Sequence, residues 1–216
     1  MRATLLAATA ALALLADAAS ASTITMQTRF HNGAALGSAE AYRTLIEGLL
    51  AQPATPGYGD AAPAQFSGLN NVSALGGPNR DDAVKYTIAF TLAPAQAGTW
   101  DMQFGVDFGR GGALFVDGVA RAFNATDMWW SNSYASASEI LQASVTLDAG
   151  RHLVELYGLE NCCDGRMQGR FRGPGTPGWT VFATNDPLTA VPAPASLGVF
   201  AMGLLGLAGA RRFRAA

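Results

Sequence analysis

Two stretches of alternating side chains constrain the fold of this 216-residue chain more than any other feature. From Val84 to Leu92 and from Trp100 to Phe108, large apolar side chains occupy every second position. Successive side chains of a β-strand point to opposite faces, so this period of two predicts strands with one buried face. The chain therefore builds at least part of its fold from half-buried strands.

Further strands and one helix complete the predicted fold, an all-β, jelly-roll-like sandwich of two sheets with about eight strands. Asp117-Gly118 separates two apolar segments and readily supplies the positive φ angles of a two-residue hairpin. Other predicted strands cover residues 23–29, 141–147, 152–159, 168–172 and 179–184. Ser38 caps a predicted N-terminal amphipathic helix over Ala39–Ala51, and the Pro-, Gly- and Asn-rich segment Gln52–Arg80 predicts a long loop. Short strands with turn signals between them favour two packed sheets.

Residues 1–21 have the layout of a secretory signal peptide. Arg2 precedes an apolar run, and the small residues Ala19-Ser20-Ala21 end the segment. Asp17 interrupts the run, which is thereby shorter than the roughly 20 apolar residues of a membrane-spanning helix. We therefore expect export, with cleavage before Ser22.

The C-terminal tail, residues 191–216, predicts a short membrane anchor. Pro192 and Pro194 precede an uncharged run from Ser196 to Ala210. The run is followed by a cluster of arginines, namely Arg211, Arg212 and Arg214. As a helix the run spans about 22 Å against a hydrocarbon core of roughly 30 Å, so a transmembrane segment here requires the bilayer to thin. The arginines would stay on the cytoplasmic side.

This order of a Pro-x-Pro pair, a short apolar segment and a terminal arginine cluster resembles the PEP-CTERM sorting signal of Gram-negative bacteria. The resemblance implies recognition by an exosortase-type enzyme in the inner membrane. It also implies transient anchoring there, followed by transfer to the envelope surface or the extracellular matrix. Ala193 stands where the family motif usually has Glu. Without the two terminal segments, residues 22–190 have the length of one domain.

The predicted domain is acidic, and arginine supplies nearly all of its positive charge. Removing the terminal segments leaves 10 basic and 15 acidic residues, a net charge of about −5, and Lys85 is the only lysine. The absence of a basic run excludes a nucleic-acid-binding footprint. Arginine suits bidentate contacts with carboxylates and contacts with sugars. The local group of Arg166, Arg170 and Arg172 is either a solvated strand face or a contact for acidic polysaccharide.

Three segments between Gly98 and Phe171 resemble the protective-antigen-type sandwich of adhesins and glycosidases. They are Gly98-Thr99-Trp100, residues 108–118 and residues 147–157. The Cys162-Cys163-Asp164-Gly165 sequence that follows is similar to the Cys-Cys-x-Gly signature of a subgroup of PEP-CTERM proteins. The resemblance implies a fold and a destination, and it implies no activity.

Cys162 and Cys163 are the only cysteines in the chain, and they are adjacent. An oxidising compartment favours a bond between them, although consecutive Cα atoms lie about 3.8 Å apart, below the usual disulfide range. A vicinal disulfide of this kind stiffens a turn, and its apolar face also suits stacking on a sugar. The alternatives are a bridge to another chain and a thiolate metal site, which lacks the four-ligand spacing of structural zinc.

Asp107 is the candidate metal ligand, and calcium is the one cofactor that the sequence suggests. It ends a predicted strand just before the Gly-rich segment 109–112, and loop carboxylates and carbonyls suit a hard cation. In calcium-binding lectins of the protective-antigen type, the ligating loop usually has two adjacent aspartates, whereas Phe108 follows Asp107 here. The other aspartate of this region, Asp117, is explained by its hairpin turn.

The segment from Asn124 to Tyr134 predicts a loop that concentrates groups able to bind sugars. These are Asp127, Trp129, Trp130, Asn132 and Tyr134. Aromatic faces stack on the C–H faces of sugar rings, while amides and carboxylates bind hydroxyl groups. Alternatively, one or both tryptophans close the end of the sandwich as part of its core.

Catalytic signals are absent from the sequence. His31 and His152 are isolated, and there is no nucleophile elbow, zinc-protease helix or phosphate loop. The sequence thus predicts a non-catalytic envelope or matrix protein that contacts exopolysaccharide. One alternative is a structural matrix component without a ligand. The other is a hydrolase of matrix glycans, with its acid and base among Asp107, Asp127, Glu155, Glu160 and Asp164.

Overall fold

The computed structural model describes residues 22–163 and 165–188, and their longer strands form two antiparallel sheets around a common core. Eight of the strands in these residues have five or more residues, and five are shorter. The strands are β1 Ser22–Phe30, β2 Asp60–Ala61, β3 Ser67–Leu69, β4 Asp82–Leu92, β5 Gly98–Gly105, β6 Asp107–Phe108, β7 Gly112–Val116, β8 Val119–Asn124, β9 Met128–Trp129, β10 Ile140–Leu147, β11 Gly150–Leu159, β12 Met167–Arg172 and β13 Thr180–Val181. The helices are α1 Ala39–Leu50, α2 Asn71–Leu75 and the 3-10 turns Pro94–Gln96 and Ala137–Glu139.

The larger sheet has the strand order β2-β1-β4-β11-β7-β8, with β4 and β11 at its centre. Ile88 of β4 pairs with Ile24 of β1 on one side and with Val154 of β11 on the other. All three side chains are buried, because the alternating pattern sends one face of the sheet inwards. This inner face forms half of the core.

The smaller sheet has the order β10-β5-β12-β13, with β3 also paired to β12. Its inner face contributes Trp100, Phe104 and Phe171 to the same buried cluster as the larger sheet. The predicted two-sheet sandwich with about eight main strands is therefore confirmed. None of the helices in the described part of the chain has both the length and the apolar character of a membrane-spanning segment.

The predicted hairpin forms between β7 and β8, with Asp117 at φ 52° and Gly118 at φ 76°. Positive φ angles at both central residues are typical of a two-residue hairpin turn whose twist matches that of the flanking strands. The Asp117 carboxylate also accepts a hydrogen bond from the Leu153 amide at 2.9 Å and lies 2.8 Å from Nδ1 of His152. Asp117 therefore ties the turn to β11.

Helix α1 is the predicted N-terminal amphipathic helix, and it packs on the outer face of the larger sheet. Ser38 caps it by accepting a hydrogen bond from the Ala41 amide. Tyr42 and Ile46 are fully buried against sheet residues that include Phe115 and Tyr157. Burial of side chains of this size contributes roughly 1.5–3 kcal/mol each. The helix thus covers apolar surface on the larger sheet.

Two predictions of local structure were wrong in extent. The expected loop Gln52–Arg80 contains β2, β3 and helix α2, because Asn70 caps α2 and the buried Asn71 side chain binds the carbonyls of Gly57 and Pro78. Such side-chain bonds to backbone cannot be recognised from a polar composition alone. In addition, the strand expected at residues 179–184 is shortened to β13.

The expected strand Trp100–Phe108 is divided at Val106, and this division shapes one end of the sandwich. β5 ends at Gly105, and Asp107–Phe108 then form a separate two-stranded ribbon, β6-β9, with Met128–Trp129. Gly105 is required here because a Cβ atom would lie 2.2 Å from the Trp130 ring. The change of partner carries Asp107 towards the end of β11.

Candidate functional site

A cleft of about 380 Å³ lies where the β6-β9 ribbon meets the end of β11. Its lining consists of Asp107, Asp127, Trp129, Glu160, Asn161, Cys162 and Cys163. These residues come from three separate parts of the chain, and the ribbon and the end of β11 hold them together. We call this site the end cleft.

Glu160 forms the floor of the end cleft and is completely buried. Its Oε2 accepts a hydrogen bond from the Gly109 amide at 3.0 Å, and its Oε1 accepts bonds from the amides of Asn161 and Cys162 at 2.8 and 3.0 Å. Burial raises the pKa of Glu160 to about 7 in spite of these bonds, and the nearby charge of Asp107 adds to the increase. Glu160 therefore organises the surrounding backbone.

Asp107 lies beside Glu160 and is 8% exposed. Its Oδ2 accepts a hydrogen bond from the Gly165 amide. Burial raises the pKa of Asp107 to about 6, the bond from Gly165 opposes this increase, and repulsion from Asp127 reinforces it. Near pH 6 this carboxyl group therefore exchanges between a form that only accepts hydrogen bonds and a form that also donates one.

Cys162 and Cys163 are joined by a disulfide at the rim of the end cleft, as the sequence predicted. Their Cα atoms lie 3.8 Å apart, and both residues are exposed. The Cys163 amide donates a hydrogen bond to the Asn79 carbonyl at 3.0 Å, which fastens the turn to the neighbouring loop. The bond between the two cysteines thus forms part of a fixed wall.

The two consecutive tryptophans face in opposite directions. Trp129 lines the end cleft with 65% of its surface exposed, and its amide donates a hydrogen bond to Oε2 of Glu139 at 2.6 Å. Trp130 is 5% exposed, and its ring packs on Gly105 and lies edge-on to Tyr134, with ring centres 5.1 Å apart. Neighbouring side chains of an extended segment alternate in direction, so one indole faces solvent while the other closes the sandwich.

The remaining predicted ligand residues of this loop lie apart from the end cleft. Asn132 is exposed in a turn with φ 59°. The Tyr134 hydroxyl donates a hydrogen bond to the Gln168 carbonyl at 3.0 Å, and its ring covers the guanidinium of Arg170 at 3.5 Å. Of the five predicted residues, the structure therefore brings only Asp127 and Trp129 into the end cleft.

Some of the carboxylates considered for catalysis lie in the end cleft and others do not. Asp107, Asp127 and Glu160 converge in the end cleft. Glu155 lies elsewhere, in an ion pair with Lys85 at 2.9 Å, and Asp164 lies outside the described residues. Asn161 was missed by the sequence reasoning, which had no signal for a neutral side chain after a strand.

Asp107, the predicted calcium ligand, lies among the described residues of the end cleft. Within them, no group of three or more His, Cys, Asp or Glu side chains is arranged to hold one. The carboxylates of Asp107 and Glu160 already accept hydrogen bonds from backbone amides, whereas calcium requires six to eight oxygen ligands. The calcium site at Asp107 therefore stays a prediction, and it would need further oxygen ligands besides these carboxyl groups.

Comparison with known proteins gives matches among solved structures only. No family model and no curated protein matches the chain. The PA14 sugar-binding domain from an RTX adhesin matches at 14% identity with a TM-score of 0.50, covering 75% of this chain and 95% of that domain. The PA14 domain of the MpAFP antifreeze protein matches at 14% identity with a TM-score of 0.49, and the match covers 81% of this chain and 94% of that domain. The epithelial adhesin 9 A domain from Candida glabrata, in complex with Galb1-4GlcNAc, matches at 9% identity with a TM-score of 0.46. This match covers 76% of this chain and 88% of that domain.

The chain has a PA14-like fold. The likeness to the RTX adhesin domain covers nearly all of that domain, so the shared feature is the complete sandwich and not a single sheet. This confirms the protective-antigen-like sandwich that the sequence predicted. At 14% identity the likeness concerns the fold alone.

Proposed function

We propose that this protein is an exported, non-catalytic envelope or matrix protein that binds exopolysaccharide in the end cleft. The observation that carries the proposal is the exposed Trp129 ring, which forms one wall of a cleft lined by carboxyl and amide groups. An exposed indole beside such groups stacks on the C–H face of a sugar, while its hydroxyls find polar partners. The PA14 fold of an RTX adhesin, described as a sugar-binding domain, is consistent with this role.

The electrostatics of the end cleft favour an uncharged sugar. Three carboxyl groups lie together, and an anionic ligand would be repelled by each ionised one. The Asp107 carboxyl group, with its pKa near 6, accepts hydrogen bonds from sugar hydroxyls in one form and donates to them in the other. The end cleft therefore suits the hydroxyl groups of a neutral glycan segment.

A structural role for Glu160 supports the absence of catalysis. A general acid or base must reach the proton that it transfers. Glu160 is completely buried, and both of its oxygens accept bonds from backbone amides. The hydrolase alternative predicts turnover of a matrix glycan that is lost in Asp107→Asn and Asp127→Asn, and we expect no turnover.

Export and sorting belong to the same proposal and rest on sequence segments outside the described residues. The signal peptide would direct residues 22–190 across the inner membrane. The PEP-CTERM-like tail, with Pro192, Pro194, Arg211, Arg212 and Arg214, would then be the substrate of an exosortase-type enzyme. Fractionation of cells that express the full chain, or a chain without residues 191–216, tests this step. Retention of the full chain in the cytoplasm would contradict it.

The experiment for the binding site is co-sedimentation of the purified protein with exopolysaccharide from its source organism, with calcium present or chelated. We expect saturable binding that is weakened in Trp129→Ala and retained in Phe30→Ala, which removes another exposed aromatic ring, 48% exposed, from β1. Absence of saturable binding would refute the proposal and favour a structural matrix component without a ligand. Loss of binding on chelation would show that calcium takes part after all.

A further inference from the structure

The outer face of the smaller sheet carries a second cluster of polar and aromatic groups, whose lining residues differ from those of the end cleft. It forms a shallow groove of about 390 Å³ whose lining comes from β10, β5, β12 and Trp179. The outward side chains of the two central strands are Asp101 and Gln103 on β5, and Arg170 and Arg172 on β12. Gln142 and Ser144 of β10 complete the groove. We call this surface the sheet groove.

Arg170 is held in position by contacts with two aromatic rings. Its guanidinium carbon lies 3.5 Å from the Tyr134 ring centre and 4.5 Å from that of Trp179. Its Nε and Nη2 both donate to Oε1 of Gln103, at 3.0 and 2.6 Å. Stacking and hydrogen bonding together order a side chain that would otherwise be mobile. Because Arg170 is already ordered in the folded chain, ligand binding loses little further side-chain entropy.

The charge of Arg170 is not neutralised by any acidic side chain among residues 22–163 and 165–188, because its hydrogen-bond partner Gln103 is uncharged. Arg172 differs, since its Nε and Nη2 donate to Oδ2 of Asp101 at 3.3 and 2.6 Å. In both arginines these bonds use Nε and Nη2, so the N–H groups of Nη1 have no protein acceptor in the described part of the chain. Asp101 balances Arg172 within the sheet groove, so Arg170 beside it leaves this outer face with an excess of positive charge, on a domain that is acidic as a whole.

We propose that the sheet groove is a second glycan-binding site, one that takes the carboxylate of an acidic polysaccharide. A guanidinium pairs with a carboxylate through charge-assisted hydrogen bonds, which are about twice as strong as neutral ones. Trp179 lines the sheet groove, and both guanidinium groups lie over its ring, at 4.5 and 4.9 Å from the ring centre. Amide and hydroxyl groups of Gln142 and Ser144 face the same groove and suit sugar hydroxyls.

Charge separates the ligands of the two sites. The end cleft contains three carboxyl groups and favours a neutral segment. Arg170, which contacts Gln103 and Trp179 at the edge of the sheet groove, has no acidic partner among the described residues and favours a uronate. The second site therefore does not depend on the first. A chain with both sites would join two kinds of polysaccharide, or two segments of one mixed polymer, within a matrix.

The test is affinity gel electrophoresis of the full chain in gels that contain polygalacturonate, with dextran gels as the neutral comparison. We expect retardation by polygalacturonate that weakens with added salt. Arg170→Gln is expected to weaken this binding at least about tenfold, the effect of losing a hydrogen bond to a charged group. Arg121→Gln removes the same charge from the exposed strand β8 of the other sheet and is expected to bind as the wild type does.

A second variant keeps the test decisive if Arg170→Gln does not fold. Ser144→Glu places a negative charge at an exposed position of the sheet groove and should abolish binding, whereas Ala120→Glu on β8 should not. The proposal is overturned if the wild type is not retarded, or if the variants within the groove and their controls on β8 behave alike. Trp129→Ala separates the two sites, because it should leave binding of polygalacturonate unchanged whether or not the end cleft binds a glycan.

Discussion

The two adjacent tryptophans should respond in opposite ways to truncation. Trp130 is 5% exposed and fills the space above Gly105, so Trp130→Ala leaves a cavity at the end of the sandwich. Truncation of a buried Trp costs about 3–5 kcal/mol of the free energy of unfolding. The buried Nε1 of Trp130 has no hydrogen-bond partner among the described residues, and removing it restores part of that cost. We therefore expect a loss near the lower end, about 3 kcal/mol.

Trp129→Ala should leave the stability nearly unchanged, because 65% of the Trp129 surface is already exposed. A surface substitution of this kind changes the free energy of unfolding by roughly 0.5 kcal/mol. For a domain of this size, a loss of 3 kcal/mol lowers Tm by roughly 6–12 °C. We therefore expect a difference in Tm between Trp129→Ala and Trp130→Ala that is large enough to be resolved by one thermal scan of each variant.

The assay is urea unfolding followed by far-ultraviolet circular dichroism, since tryptophan fluorescence would itself change in these variants. Trp130→Phe is the control, because it keeps most of the ring volume and removes the unpartnered N–H, and it should cost less than Trp130→Ala. Equal losses of stability in Trp129→Ala and Trp130→Ala would refute the assignment of one ring to the core and the other to the end cleft. Glycan binding unaffected by Trp129→Ala would refute its role in binding.

Three further predictions follow from the packing and charges of the end cleft and the strands around it. The folded-state pKa values of Asp107 and Glu160, about 6 and 7, lie above their ordinary values of 3.8 and 4.5. The folded chain therefore binds the carboxyl protons of these two residues more tightly than the unfolded chain does, and their contribution to stability is lost as the pH rises from about 4 to 7. Urea titrations across this pH range should show that the free energy of unfolding falls less steeply with pH in Asp107→Asn than in the wild type. Gly158→Ala places a Cβ atom 2.3 Å from the Phe108 ring and should cost about 1–3 kcal/mol, whereas Gly48→Ala meets open space in α1 and should gain about 0.5–1 kcal/mol in the same assay. Reduction of the denatured chain should add about 2 Da to its intact mass, and an unchanged mass would exclude a bond between Cys162 and Cys163.

Local sequence signals were enough to predict the architecture of the domain. The period of two at Val84–Leu92 predicted β4 because a strand with one buried face must alternate. Asp117-Gly118 predicted the β7-β8 hairpin and Ser38 predicted the start of α1, since both are local features of the backbone. The adjacency of the two cysteines likewise predicted the bond between them. Each of these signals lies within a few residues of the structure that it specifies.

The residues that line the end cleft and the sheet groove are brought together only by tertiary contacts. Asp107 and Glu160 meet only because the chain changes partner after Gly105 and because β11 ends beside the ribbon. The direction of each indole depends on the strand pairing of Trp129, and Tyr134 lies on Arg170 because β12 is next to β5. These contacts arise from burial and strand pairing between distant segments. No local pattern of residues encodes them.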